Sequence, residues 1–192
     1  MIDLENIRDF AIPDFQGFSA FGNAQHFNAL PETHKEQVHF LNSEATKYLW
    51  SFTGVSAHLF TSGNWDPFAK GNFKTIEKFS HLCNDEADNQ LLKKWLFNRG
   101  IPFKQWIFIL SEDHDNAVLT TWKIFVKHCT HFLFSGDTVV FDHTLNWTLF
   151  YFHENELTFG KDKVYDDTEN EAMMKALNER KQQFPQFRHP YL

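Results

Sequence analysis

The sequence predicts an α+β fold, an antiparallel β-meander packed against several helices. In residues 120–134 the apolar side chains recur every three or four positions, as they do on one face of a helix. Residues 138–160 contain short strand-like runs separated by turn residues, which is typical of hairpins. The apolar run "QWIFIL" at 105–110 has the length of a central strand. Helical patterns on both sides of these runs favour helices lying against the sheet.

The length and composition favour one domain, residues 1–192, with a helical N-terminal part over about 1–100 and an α/β C-terminal part over about 101–192. Hydrophobic residues make up 42% of the chain and charged residues 22%, as in a globular protein. The chain is rich in rings, with 23 Phe and 6 Trp. Most of these rings are expected in the core.

The N-terminal part is predicted to be mainly helical. Ser43 is a suitable N-cap and Gly54 a suitable stop for the helix between them. The predicted elements are an irregular segment over 1–30, a short helix opening at Pro31, a helix over 43–52, a loop over 60–73 holding Trp65 and Phe68, and a short helix over 74–82.

A further helix is predicted to begin after Asn84 or Asp85 and to end before Gly100. Acidic residues lie in its first turn and basic residues in its last, which is the order that the helix dipole favours. Its buried stripe is predicted to consist of Leu91, Leu92, Trp95 and Leu96.

In the C-terminal part, Thr120 or Thr121 is predicted to cap the central helix. Thr168 and Glu171 form a capping-box pattern at the start of a terminal helix. The predicted elements are strands over 105–110 and 117–119, the central helix, strands over 138–142, 147–152 and 156–160, and a terminal helix over 166–183.

The formal net charge of −7 and the lack of a basic run disfavour direct binding to DNA or RNA. The first residues lack the pattern of a secretory signal, and no run reaches the roughly 18 apolar residues of a membrane helix. Cys83 and Cys129 form neither a CxxC motif nor a disulfide framework. We therefore expect a cytoplasmic protein with reduced thiols that binds neither nucleic acid nor membrane.

No motif indicates a metal, a cofactor or a catalytic nucleophile. His128, Cys129 and His131 are close in sequence, but Cys129 lies on the apolar stripe and zinc needs three or four ligands. The chain contains no GxSxG elbow and no phosphate-binding glycine loop. The acidic pairs at 113–115 and 166–167 are better explained as solvated loops. No functional metal and no cofactor are expected.

The run "WTLFYFHE" at 147–154 holds the strongest candidate for chemistry. Both faces of the strand are apolar, which predicts a central strand covered on two sides. Asn155 tolerates the left-handed backbone that a tight turn needs. His153, the last strand residue, is predicted to bond across the sheet, for instance to Asp142, or to border a partner surface. With Glu154 and Asp142 it is also a candidate for a hydrolytic site.

Residues 120–160, "TTWKIFVKHCTHFLFSGDTVVFDHTLNWTLFYFHENELTFG", resemble small bacterial proteins of toxin immunity or of uncharacterised gene neighbourhoods. The resemblance implies a non-enzymatic, cytoplasmic immunity protein whose partner is a cognate toxin or effector, basic and acting in the cytoplasm. It covers about forty of the 192 residues. The shared positions are Thr120, Trp122, Phe132, Asp137, Asp142, Trp147, Leu149, His153, Glu154, Phe159 and Gly160.

The charge pattern is compatible with such an inhibitor, because acidic inhibitors associate rapidly with basic toxins. Residues 154–171 hold seven acids and two lysines, which accounts for −5 of the net charge of −7. A solvated helix start is an alternative explanation, and a structural or adaptor domain is an alternative function. The predicted binding residues are Asp142, His153, Glu154, Glu156, Asp162, Asp166, Asp167 and Glu169.

Overall fold

A computed structural model describes most of the chain. The described residues are 2–13, 21, 24–54, 68, 73–80, 85–112, 117–134, 136–164 and 167–188.

The described residues form a single seven-stranded sheet in which every neighbouring pair is antiparallel. Its order is β1-β4-β3-β5-β6-β7-β2, so the three strands of the predicted meander are adjacent and near the middle. The α+β class is confirmed. The strands are β1 (Val38–Leu41), β2 (Phe73–Ser80), β3 (Trp106–Ser111), β4 (Ala117–Thr121), β5 (Thr138–Phe141), β6 (Trp147–Phe152) and β7 (Glu156–Lys163).

Helices accompany the sheet, and their apolar residues belong to two separate core clusters. No helix among the described residues has the length and apolar character needed to cross a membrane. The helices are a 3-10 helix (Ile7–Phe10), α1 (Ala24–Asn28), α2 (Glu32–Lys35), α3 (Ser43–Gly54), α4 (Glu86–Phe97), α5 (Trp122–Lys127), α6 (Cys129–Phe132) and α7 (Asp167–Gln183).

Alternate residues of the central strands contribute to different clusters, so the sheet is covered on both faces. Ile107 and Ile109 of β3 pack in the first cluster with residues of α4, α5 and α6, whereas Phe108 and Leu110 pack in the second with residues of α3 and α7. Strand β6 is buried along nearly its whole length. The prediction of a central strand covered on two sides is therefore confirmed.

Several predicted helix ends are confirmed, and one is shifted. Asp85 caps α4 by accepting a hydrogen bond from the Asp88 N–H at 2.9 Å. Thr121 caps α5, although its bond from the Ile124 N–H is long at 3.4 Å. At α3 the capping side chain is Asn42, one residue before the predicted Ser43, because the Asn42 side-chain oxygen Oδ1 accepts from the Ala45 N–H at 2.9 Å.

The predicted short helix over 74–82 is wrong, because residues 73–80 form the edge strand β2. Phe73, Ile76 and Phe79 recur every third residue and thereby imitate one face of a helix. Residues of β2 instead pair along the whole length of β7. This long-range pairing overrides the local pattern. The N-terminal part, predicted to be mainly helical, therefore supplies both edge strands of the sheet, β1 and β2.

Two further helical predictions need correction. Leu91 is exposed rather than part of the buried stripe of α4, whereas Leu92 and Leu96 are buried as predicted. The helix over 120–134 is interrupted at His128, whose φ of −117° separates α5 from α6. The predictions for Cys83, Trp65 and most of the loop over 60–73, and the capping box at Thr168, lie outside the described residues and side chains.

Candidate functional site

The predicted contact face is divided between the two ends of the sheet. His153, Glu154 and Glu156 lie at the turn between β6 and β7, whereas Asp162 lies near the other end of β7. Glu156 and Asp162 are six positions apart along β7, which corresponds to about 20 Å. Asp166 lies outside the described residues, and α7 includes Asp167 and Glu169, whose side chains are not among the described ones.

Asp142 is buried, with 4% of its surface exposed, so it is not an exposed contact residue. One carboxylate oxygen accepts from the Trp147 indole Nε1–H at 2.9 Å. The other accepts from the backbone N–H and the hydroxyl of Thr144. Asp142 thus satisfies a buried indole and fixes the turn between β5 and β6.

The predicted bond between His153 and Asp142 is wrong, because His153 bonds to Asp137. The Asp137 carboxylate Oδ1 lies 2.8 Å from His153 Nδ1 and accepts from the His153 backbone N–H at 3.0 Å. In the antiparallel pair of β5 and β6, Thr138 faces Tyr151. The residue before β5 is therefore next to the end of β6, and Asp142 is at the opposite end.

This register also separates the three residues of the hydrolytic hypothesis. Asp142 is beside Trp147 at the start of β6, whereas His153 and Glu154 follow the end of that strand. The three side chains do not form one site. Asn155 has a φ of 62°, which confirms the predicted left-handed position in the turn.

Four carboxylates and one histidine gather at the end of the sheet that contains this turn. We name this set the acidic end: Glu112, Asp137, His153, Glu154 and Glu156. The backbone N–H of Glu112 donates to the carbonyl of Asp137 at 3.0 Å, which joins the ends of β3 and β5. Glu112, Glu154 and Glu156 are exposed, whereas Asp137 is buried and bonds to the His153 ring.

The electrostatic environment of His153 reflects this concentration of acids. The hydrogen bond to Asp137 raises the pKa of His153, and the charges of Asp137, Glu154 and Glu112 raise it further. Its Nε2 is 3.7 Å from a Glu154 carboxylate oxygen. The histidine therefore joins a buried acid to an exposed one and holds the turn in place.

A second cluster is a row of histidines beside α5 and α6, formed by His26, His34, His128 and His131. These four residues were not predicted as a group from the sequence. His128 Nε2 is 3.1 Å from Nδ1 of His34, and the His131 ring is 4.7 Å from that of His26. Burial, followed by neighbouring positive charges, lowers the pKa of His128 to about 4 and also lowers the pKa values of His34 and His131. Within the described part of the chain, no three His, Cys, Asp or Glu side chains are placed to hold a metal ion. Cys129 is buried as predicted.

Acid is expected to destabilise the protein through this row. His128 has a folded-state pKa near 4 and an ordinary value of 6.5, so between these values the unfolded chain binds a proton that the folded chain does not. The stabilisation is present above pH 6.5 and is lost as the pH falls toward 4. Because solvent screens this half-buried ring, we expect the free energy of unfolding to fall by only about 1 kcal/mol between roughly pH 7 and pH 5.

Urea denaturation at a series of pH values measures this loss. The variant His128→Gln is expected to flatten the pH dependence, and His143→Gln, at an exposed histidine, serves as the control. An unchanged pH dependence in His128→Gln would contradict the assignment to His128.

A cavity of about 780 Å³ lies on the other side of the molecule from the acidic end, toward the opposite ends of β3 and β5. Its walls come from five separate parts of the chain, so no sequence pattern pointed to it. The principal lining residues are Ile7, Arg8, Trp106, Phe108, His143 and Arg188.

Comparisons of the chain with protein-family models, with curated proteins and with solved structures found no match. The resemblance of residues 120–160 to immunity proteins therefore stays a prediction.

Proposed function

We propose that this protein is a cytoplasmic immunity protein, a non-enzymatic inhibitor that binds a basic, cytoplasm-acting toxin through the acidic end. The observation that carries the proposal is the convergence of Glu112, Glu154 and Glu156 as exposed acids around the His153–Asp137 pair. Asp142 and Asp162 lie apart from this surface and are omitted from it.

The acidic end is held by the sheet itself, which suits it to recognition. Asp137 precedes β5, Glu112 follows β3 and Glu156 begins β7, so strand pairing sets the spacing of these residues. The two bonds from His153 to Asp137 restrain the turn that carries Glu154. A surface arranged before binding loses less conformational entropy when a partner docks.

The charge of the acidic end determines which partner it fits. Its four carboxylates attract a basic protein surface and repel the phosphates of nucleic acids. Lys and Arg side chains on a toxin would form charge-assisted hydrogen bonds with these carboxylates. Toxins that act on nucleic acids or nucleotides carry such basic surfaces, which makes them the expected partners.

Paired charge reversals test the role of this surface. The variant Glu154→Lys/Glu156→Lys changes the net charge by as much as Glu36→Lys/Glu179→Lys, whose exposed acids lie at the end of α2 and in α7 and do not belong to the acidic end. The protein and the effector encoded by the neighbouring gene would be co-expressed, and growth and association rates measured. We expect the wild type and the control to protect the cells, with association of the first variant slowed at least about tenfold.

Two outcomes would contradict the proposal. If the wild-type protein neither binds nor neutralises the neighbouring effector, the immunity function fails. If both double variants protect and associate equally well, the acidic end is not the contact surface. Retained thermal stability of both variants shows that a loss of binding does not come from unfolding.

A further inference from the structure

The cavity near the chain's first residues combines an apolar floor with two cations. Ile7, Phe108 and Leu119 are buried hydrophobic residues that line it, and Trp106 adds a large half-buried ring. Its volume of about 780 Å³ lies within the range of sites for small organic ligands. The floor is therefore able to hold the apolar body of such a ligand.

Arg8 and Arg188 are the cations of this cavity. The Arg8 guanidinium lies over the Trp106 ring, 4.1 Å from its centroid, which restrains the side chain through a cation–π contact. Within the described part of the chain, no carboxylate lies within 4.0 Å of the charged nitrogens of either arginine. As far as the described residues extend, both guanidinium groups thus keep their donors for a bound anion.

The rim of the cavity supplies further polar groups. His143 and Thr144 line it, and Gln105 Nε2 is 3.4 Å from Nδ1 of His143. When the Gln105 amide donates to Nδ1, the neutral ring carries its proton on Nε2, which is then a donor for an anion. Arginines and histidine together suit the planar oxygens of a carboxylate.

We propose that this cavity binds a small amphipathic monoanion, a carboxylate with an aromatic or aliphatic body. Its apolar body lies on Phe108 and Leu119, and its carboxylate is held by Arg8 and Arg188. Glu5 and Asp9 also line the cavity, and their negative charges disfavour polyphosphates. The site is distant from the acidic end and does not depend on the function proposed for it.

Titration calorimetry with matched probes tests the site. The acids 3-phenylpropionate and octanoate represent the two kinds of body, their neutral carboxamides test the need for charge, and ATP represents polyphosphates. We expect the carboxylates to bind at least about tenfold more tightly than the carboxamides, as the loss of a charge-assisted hydrogen bond implies. ATP is expected to bind more weakly than either carboxylate.

Variants then locate the binding. Arg8→Gln and Arg188→Gln are each expected to weaken the binding of the carboxylate probes about tenfold. Arg180→Gln, which lies outside the cavity, is expected to leave their binding unchanged. Arg8 and Arg188 are exposed, so these changes are expected to preserve the fold, which a thermal melt verifies. The proposal is overturned if neither carboxylate binds at about 1 mM, if the carboxamides bind equally, or if both cavity variants bind as the wild type does.

Discussion

Replacement of Trp122 by alanine is expected to lower the free energy of unfolding by about 3–5 kcal/mol, the range for removing a large buried ring. Trp122 is fully buried where β4 passes into α5. Its ring stacks on Phe125 at 5.2 Å and meets the edge of Trp147 at 5.6 Å. Its removal therefore opens a cavity between the helical layer and the sheet.

The indole N–H of Trp122 allows the effect of the ring to be separated from that of its polar group. It is buried and has no hydrogen-bond acceptor among the described residues. Trp122→Phe keeps most of the ring contacts and removes this unsatisfied donor, so it is expected to be clearly less destabilising than Trp122→Ala. Urea denaturation measures both variants, with Phe134→Ala at an exposed ring as the control. A loss below about 1 kcal/mol for Trp122→Ala would show that the core collapses around the vacancy.

The second large effect is expected at Asp142, where alanine lowers the free energy of unfolding by about 2–4 kcal/mol. The change leaves the Trp147 indole N–H buried without its acceptor and removes the two bonds that order Thr144. Leu145, two residues before Trp147, has a φ of 53°, and the Asp142 turn helps to hold this backbone.

Asp142→Asn separates loss of charge from loss of acceptors. Asparagine has one carbonyl oxygen, so it cannot serve Trp147 and Thr144 through two oxygens as the carboxylate does. We expect the free energy of unfolding of Asp142→Asn to lie between that of the wild type and that of Asp142→Ala. The indole N–H resonance of Trp147 should shift in both variants, and an alanine variant as stable as the wild type would contradict the structural role of Asp142.

Local patterns predicted the meander because its strands follow one another along the chain. The turn at Asn155 and the hairpins that flank β6 need only neighbouring residues. Strand β2 was missed because its identity depends on β7, about eighty residues later. Residues 73–80 carry too little local preference to decide between helix and strand.

The candidate site was predicted only in part, for a related reason. The hairpin of β5 and β6 places Asp142 beside Trp147 and Asp137 beside the end of β6, so the partner of His153 follows from strand register. A search for acids near His153 that ignores this register selects the wrong carboxylate. The arginines of the cavity are about 180 residues apart in sequence and become neighbours only in the folded chain.

The positions of β1 and β2 at the two edges of the sheet have a consequence for synthesis. A ribosome releases these strands first. Among the described residues, β1 has only the single bridge to Ala11 until β4 emerges, and β2 has no strand partner until β7 emerges. During that interval the aromatic N-terminal third is exposed, and such segments aggregate readily. We therefore expect nascent chains shorter than about 165 residues to depend on chaperones, and the yield of soluble protein to rise when translation is slowed at low temperature.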